Sequence, residues 1–210
     1  MEIDFRKIPP QQRYKILTAA VIPRPIAFVT TRGINGVDNA APFSFFNVFG
    51  EDPPLVVLGL QSSSDGGPKD TTRNIRYSSE FAINMVDRPI AEAMNVCATD
   101  VDEGTSEFDM SGLTRAECRH IDVCRVAEAP ITFECKRMMI IQINSTRDLL
   151  VGEVLHMHAR DGIIDPDNLH LDLDNYDIVG RLFANLYTPI GKTFQHDRMT
   201  PEEWWEKSGQ

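Results

Sequence analysis

The chain has 210 residues, of which 42% are hydrophobic and 25% charged, an ordinary globular composition that excludes disorder, collagen-like repeats and coiled coil. At ~150 residues per domain, one elaborated domain over 1–210 is expected rather than two complete ones. The net charge of −10 repels nucleic acid and anionic membranes, and no Lys/Arg run offsets it, although a small anionic ligand in a local basic pocket stays compatible.

Taken in chain order, residues 11–20 read as a short amphipathic helix that Pro23-Arg24-Pro25 stops. Ile26 to Thr31 reads as a buried strand. Asn35-Gly36 is a strong hairpin signal, with a return strand expected from Asn39 to Phe49. Asp52-Pro53-Pro54 breaks the chain before an apolar strand, Leu55 to Leu60, and a polar stretch then leads to a helix at about 69–77. Glu80 to Asp87 alternates as a strand. Asp87 is expected to cap a helix whose Ile90, Ala93, Met94 and Cys97 share one stripe. Residues 98–130 look polar and irregular, with a helix near Thr114. Ile131 to Ile143 and Leu149 to Ala159 form a long hairpin that slips register at Met138-Met139. An acidic loop spans 162–180, a tail begins near 188, and Pro201 to Lys207 forms a terminal helix. Strands outnumber short helices and do not alternate with them, so the expected fold is mainly β, an antiparallel barrel or sandwich with helical caps.

The four cysteines form no C-x-x-C pair, MEIDFRKIPP lacks the order of a signal peptide, and no apolar run approaches a membrane span. A cytoplasmic protein with reduced thiols is the expectation.

The segment from Ser62 to Thr71 offers Ser62, Ser63 and Ser64, then Asp65, Gly66-Gly67, Pro68, Lys69 and Asp70 before the helix start at Thr71. Hydroxyl and amide donors, close backbone approach and positive potential at a helix N-terminus are what a phosphate needs. The spacing is not that of the nucleotide P-loop, and a flexible surface loop before a capped helix fits the same residues. Ala41 to Asn47 is a strand rich in phenylalanine with isolated polar groups at Ser44 and Asn47, suited to a flat heteroaromatic ring or to a barrel core. His156 and His158 share a strand face, but no third metal ligand is evident. Cys118, His120 and Cys124 match no zinc module, and the aspartates from 165 to 177 lack the EF-hand glycine and glutamate, so no metal is expected. No Ser/His/Asp set can be assembled and no catalytic residue is named. A ring pocket beside a phosphate grip implies that a cofactor carries the chemistry.

These residues resemble the flavin reductase-like, FMN-binding split-barrel family, and within it the longer, flavoredoxin-like members. The likeness runs through Pro23 to Thr31, Asn39 to Asn47, Asp52 to Leu55, Lys69-Asp70-Thr71 with Asn74-Ile75, Glu80-Phe81 and Ile83-Asn84, and more weakly Gly152-Glu153-Val154 and Gly180-Arg181-Leu182 with Tyr187. The resemblance implies a Greek-key split barrel and a homodimer that binds one FMN per subunit. Ser44, Phe45, Phe46 and Asn47 would line the isoalloxazine, with Asn47 at its polar edge. Ser62, Ser63, Lys69 and Thr71 would hold the phosphate, Arg24 would lie close to the flavin, and Asp70 would cap the helix. The implied activity passes hydride from NAD(P)H to flavin and on to free flavin, a partner oxygenase or another small acceptor. Alternatives are an FMN electron carrier without a nicotinamide site and a cofactor-free relative. Phe183-Ala184 stands where the family carries two glycines, which would narrow the space there, and 98–130 is an unusual insertion.

Overall fold

A computed structural model describes residues 1–63, 66–99 and 105–208; Ser64, Asp65 and the portion of the 98–130 insertion at 100–104 lie outside the described residues. Helix α1 (Pro10–Ala20) leads into β1 (Ala27–Arg32), β2 (Asp38–Phe43), β3 (Phe46–Glu51) and β4 (Pro54–Gln61). Then come α2 (Asp70–Ser78), β5 (Glu80–Met85), α3 (Ala91–Val96), α4 (Glu107–Ser111), β6 (Arg115–Glu117) and β7 (Cys124–Val126). The long hairpin β8 (Ile131–Asn144) and β9 (Arg147–Ala159) is followed by β10 (Val179–Arg181), β11 (Tyr187–Pro189) and α5 (Pro201–Ser208).

Seven strands form one antiparallel sheet in the order β2-β1-β5-β8-β9-β4-β3. β2 and β3 therefore occupy opposite edges, yet only Ser44 and Phe45 separate them in the chain. Two residues bridge the edges only if the sheet curls until they nearly meet, which makes an open barrel. The Gly59 amide donates to the Phe45 carbonyl at 2.7 Å and stitches this corner to β4. The single return strand expected over 39–49 is thus two strands broken by a corner, and side-chain alternation does not carry across it. The mainly β split barrel with short capping helices is the architecture the sequence led us to expect.

Each face of the sheet has its own core. Val29, Phe46, Leu58, Phe81, Ile83 and Leu150 pack on one side. Phe28, Val86, Met94, Phe108 and Val126 pack on the other, under α3, α4 and β7. β1 is consequently buried on both faces, which explains the apolar run from Ile26 to Val29. The hairpin turn forms as Asn35-Gly36 predicts, with Gly36 at φ +79° and its amide donating to the Gly33 carbonyl. The ladder of the long hairpin shifts between Arg137 and Met139, at the expected slip.

Three details differ from expectation. The helix of the 98–130 segment lies at α4, and the residues after Thr114 form β6 instead. Apolar Phe108, Ile121, Val123 and Val126 anchor this segment in the core despite its polar average. Asn84, fully buried, ties it down: its amide donates to the Phe28 carbonyl at 2.9 Å, while its oxygen accepts from Val126 N–H and the Thr132 hydroxyl, each at 2.9 Å. Asp87 precedes the turn into α3 but makes no capping bond: Arg160 holds its Oδ2 at 2.8 Å, and its buried Oδ1 has no hydrogen-bond partner.

β9 runs past the Phe81 ring so closely that a Cβ on Gly152 would overlap it. Gly152→Ala is expected to destabilise the fold by about 1–3 kcal/mol through overpacking; urea denaturation of the two chains measures it.

Candidate functional site

The β2–β3 corner opens onto a cleft of about 540 Å³, within the ~300–1,000 Å³ range of small-molecule sites. Ala41 to Phe45 form one wall, contributed by the end of β2 and the corner itself. Ser63, Pro68, Lys69, Asp70, Thr71 and Arg73 form another, where the chain leaves β4 and enters α2. Gln61, Arg147, Cys97 to Thr99 and Glu107 complete the lining.

Residues 62, 63 and 67, where the chain leaves β4, are held by backbone bonds. The Ser62 amide donates to Thr146 at 3.1 Å and Ser63 N–H to Gly67 at 2.7 Å, so the loop leans on the tip of the β8–β9 hairpin. That contact brings Arg147 into the cleft, where its guanidinium sits 5.9 Å from the Phe45 ring centroid and donates to Gln61 Oε1 at 3.1 Å. Tyr14 of α1 reaches the same ring, with centroids 6.1 Å apart. Lys69, Arg73 and Arg147 thus give the cleft three cations against two carboxylates, Asp70 and Glu107, in a chain whose overall charge is −10. The N-terminal amides of α2 add positive potential at the Thr71 end.

Of the sequence-predicted residues, Ser44, Phe45, Ser63, Lys69 and Thr71 line this cleft together. Ser62 stands at its margin, its hydroxyl donating to the Ser145 carbonyl at 3.2 Å. Phe46 points into the barrel core, and Asn47 is exposed on β3, where its side-chain oxygen accepts from Val48 N–H. Arg24 lies behind the wall, 7% exposed, and reaches the cleft only through its Nε, 3.3 Å from Ser44 Oγ. Asp70 occupies the first position of α2, not the cap, and its carboxylate pairs with Arg73. Phe183 and Ala184 are not among the residues lining the cleft. Cys118 and Cys124 pack in separate apolar clusters. Sequence reasoning missed Gln61, Arg73, Arg147 and Glu107. No motif marks them, since a cation on a hairpin tip reads as solvated.

Glu107 is buried, and its Oε2 accepts from Ala40 N–H at 3.2 Å. Asn39 links it to the helix start: with the amide turned to satisfy every neighbour, its oxygen accepts from Thr71 Oγ1 at 3.0 Å and its nitrogen donates to Glu107 Oε1 at 3.3 Å. Burial, and secondarily the nearby Asp70 charge, push the Glu107 carboxyl above the usual carboxylate range. The folded state therefore holds a proton that the unfolded chain releases, and stability falls as pH rises through this window. Glu107→Gln keeps the acceptor for Ala40 and removes the charge. Its melting temperature is expected to exceed that of the parent at neutral pH, and the gain should vanish at pH values below the ordinary carboxylate range. Melting curves across pH check it. Burial also pushes the Cys97 thiol up to about 11, which keeps it protonated and unreactive at neutral pH.

Comparison with known proteins adds sequence evidence to this geometry. A family model described as a flavin reductase like domain matches residues 19–178. The solved structure of Pseudomonas fluorescens 2-nitrobenzoate 2-nitroreductase is 36% identical, with a TM-score of 0.88 over 96% of this chain and 98% of that one. Nitrilotriacetate monooxygenase component B from Bacillus cereus is 31% identical, with a TM-score of 0.89 over 93% of this chain and 98% of its own. An uncharacterized protein of Deinococcus radiodurans is 38% identical over 97% of this chain and 92% of its length.

Proposed function

The chain belongs to the flavin reductase-like domain family, with similar solved structures named as a nitroreductase and a monooxygenase component, and from that premise we propose that it binds FMN in the β2–β3 corner cleft, takes hydride from NAD(P)H and passes electrons to an acceptor. The observation that carries this reading is the pairing of an aromatic, uncharged corner with a cationic helix N-terminus across one cleft of flavin size.

FMN, when bound, supplies the hydride and electron chemistry; the chain's task is binding and orientation. Lys69 and Arg73, with the hydroxyls of Ser63 and Thr71 and the α2 amides, suit the phosphate. Phe45 and the backbone from Pro42 to Ser44 suit the ring, and Arg147 over Phe45 offers positive charge close to it. Arg24 is a positioning residue, fixing Ser44 from behind. Exposed Val48 and Phe49 on the adjoining β3, each 71% accessible, suit a second copy of the chain, so we read the protein as a homodimer. The free cysteines suit a reducing, cytoplasmic setting. A relative named as a monooxygenase component supports a partner oxygenase among the acceptors.

Anaerobic stopped-flow mixing of the FMN-loaded protein with NADH and with NADPH tests the reading. Flavin bleaching on a turnover timescale with one of them is expected. No bleaching with either would leave an FMN electron carrier, and a colourless protein that refuses added FMN would remove both.

A further inference from the structure

We infer that Glu134, His156 and His158, completed by His120, form a binding site for one divalent cation of the zinc type that pins the 115–126 segment to the β8–β9 hairpin. The ligand atoms of Glu134, His156 and His158 all lie within 4.8 Å of one another. Glu134 and His156 are directly opposed across the β8–β9 ladder, and His158 is two residues further along the same face. His120 approaches from the covering segment, its ring centroid 5.0 Å from that of His156, which in turn lies 4.9 Å from His158.

The chemistry of this set is selective. Three imidazoles and one carboxylate are the borderline donors that suit tetrahedral Zn²⁺ rather than Ca²⁺ or Mg²⁺. Glu134 is fully buried and already aimed: its Oε1 accepts from Arg119 N–H at 2.6 Å and its Oε2 from His120 N–H at 2.7 Å. A carboxylate offers about four lone-pair sites, so these bonds orient the ligand and leave room for a metal, as outer-shell donors do in built metal sites. His158 Nε2 and Glu134 Oε1 are hydrogen-bonded to each other at 2.6 Å; a metal would replace that shared proton, and its release accompanies binding. The ladder shifts at Glu134/Cys135, leaving Leu155 without a partner; such a bulge re-aims neighbouring side chains. The sequence displays the two strand histidines, but the third ligand comes only from register. His120 stands outside the 4.8 Å group and turns in to make the fourth protein ligand, which closes the site as a structural one. From Glu134 to Asn144, at the cleft end of β8, the strand runs about 30 Å, so the site acts on the fold and not on the flavin.

The test is calorimetric titration of the chelator-stripped full chain with Zn²⁺ alone. One Zn²⁺ per chain is expected, with a raised melting temperature. His156→Gln and His120→Gln are each expected to weaken binding at least about tenfold (~1.4 kcal/mol). Neither side chain bears the buried bonds of Glu134, and metal-free melting at the parent temperature shows that the variants fold. His170→Gln, in the exposed 162–180 loop, should bind like the parent. No saturable Zn²⁺ binding by the parent, or undiminished binding by both His156→Gln and His120→Gln, overturns the assignment. Neither result bears on FMN binding.

Discussion

Arg24→Ala is expected to lower stability by about 3 kcal/mol or more, which for a chain of this size is a fall of roughly 6–12 °C in melting temperature. The buried guanidinium is wired to three separate segments, one of them the corner at Ser44 through Nε. Nη1 donates to the Thr18 carbonyl at 2.5 Å and the Val21 carbonyl at 3.1 Å at the end of α1. Nη2 donates to the Leu182 carbonyl at 2.8 Å, just past β10, while the Arg24 and Arg181 backbones exchange bonds at 2.9 and 2.8 Å. Alanine leaves those carbonyls without their donor; the Thr18 bond is buried and the other two part-buried, and an orphaned buried acceptor costs about 1–3 kcal/mol. Arg24→Lys keeps the charge but not the planar fork, so it should recover less than half of the loss. Differential scanning calorimetry of the three chains measures both effects. FMN affinity should change less than stability, because Arg24 touches the cleft only through Ser44.

Lys69→Ala is expected to raise the FMN dissociation constant by about 10- to 100-fold, the worth of a charge-assisted bond to phosphate of about 1.5–3 kcal/mol. Asp70→Asn at the next position should leave affinity unchanged or slightly tighter, since it removes a negative charge from a site meant for an anion. Both residues line the cleft and both flank the start of α2, so the pair isolates charge from position. Fluorescence titrations of FMN giving equal affinities for the two variants would contradict this arrangement of the site.

Local chemistry explains what could be read before folding. Strand periodicity, the Asn35-Gly36 turn and the slip at Met138-Met139 are encoded within a few residues, and the folded chain has each. The corner at Ser44-Phe45 is not encoded this way. Pro42 and Ser44 mark the stretch only faintly among its phenylalanines, and closure of the barrel is what forces the chain to change edges there. The 98–130 segment misleads by its average: its polar groups are spent on particular partners, as when Ser106 Oγ donates to the Asp38 carbonyl at 2.7 Å and Arg115 Nε to the Asp38 carboxylate at 3.0 Å. Arg147 and Glu107 share the cleft with Lys69 although they stand far from it in sequence. Pairing of β4 with β9 brings the first, and packing of α4 on β2 the second. The phosphate-type loop was legible because its donors are contiguous; the rest of the cleft is assembled by topology.

The central claim, that the corner cleft binds FMN through a ring end and a phosphate end, is tested most directly by comparing FMN with riboflavin on the same protein. The two share the ring and ribityl chain and differ only in the phosphate. One FMN per chain is predicted, with riboflavin at least about tenfold weaker (~1.4 kcal/mol) and that difference largely lost in Lys69→Ala. Equal affinity for the two flavins in the parent chain would contradict the account.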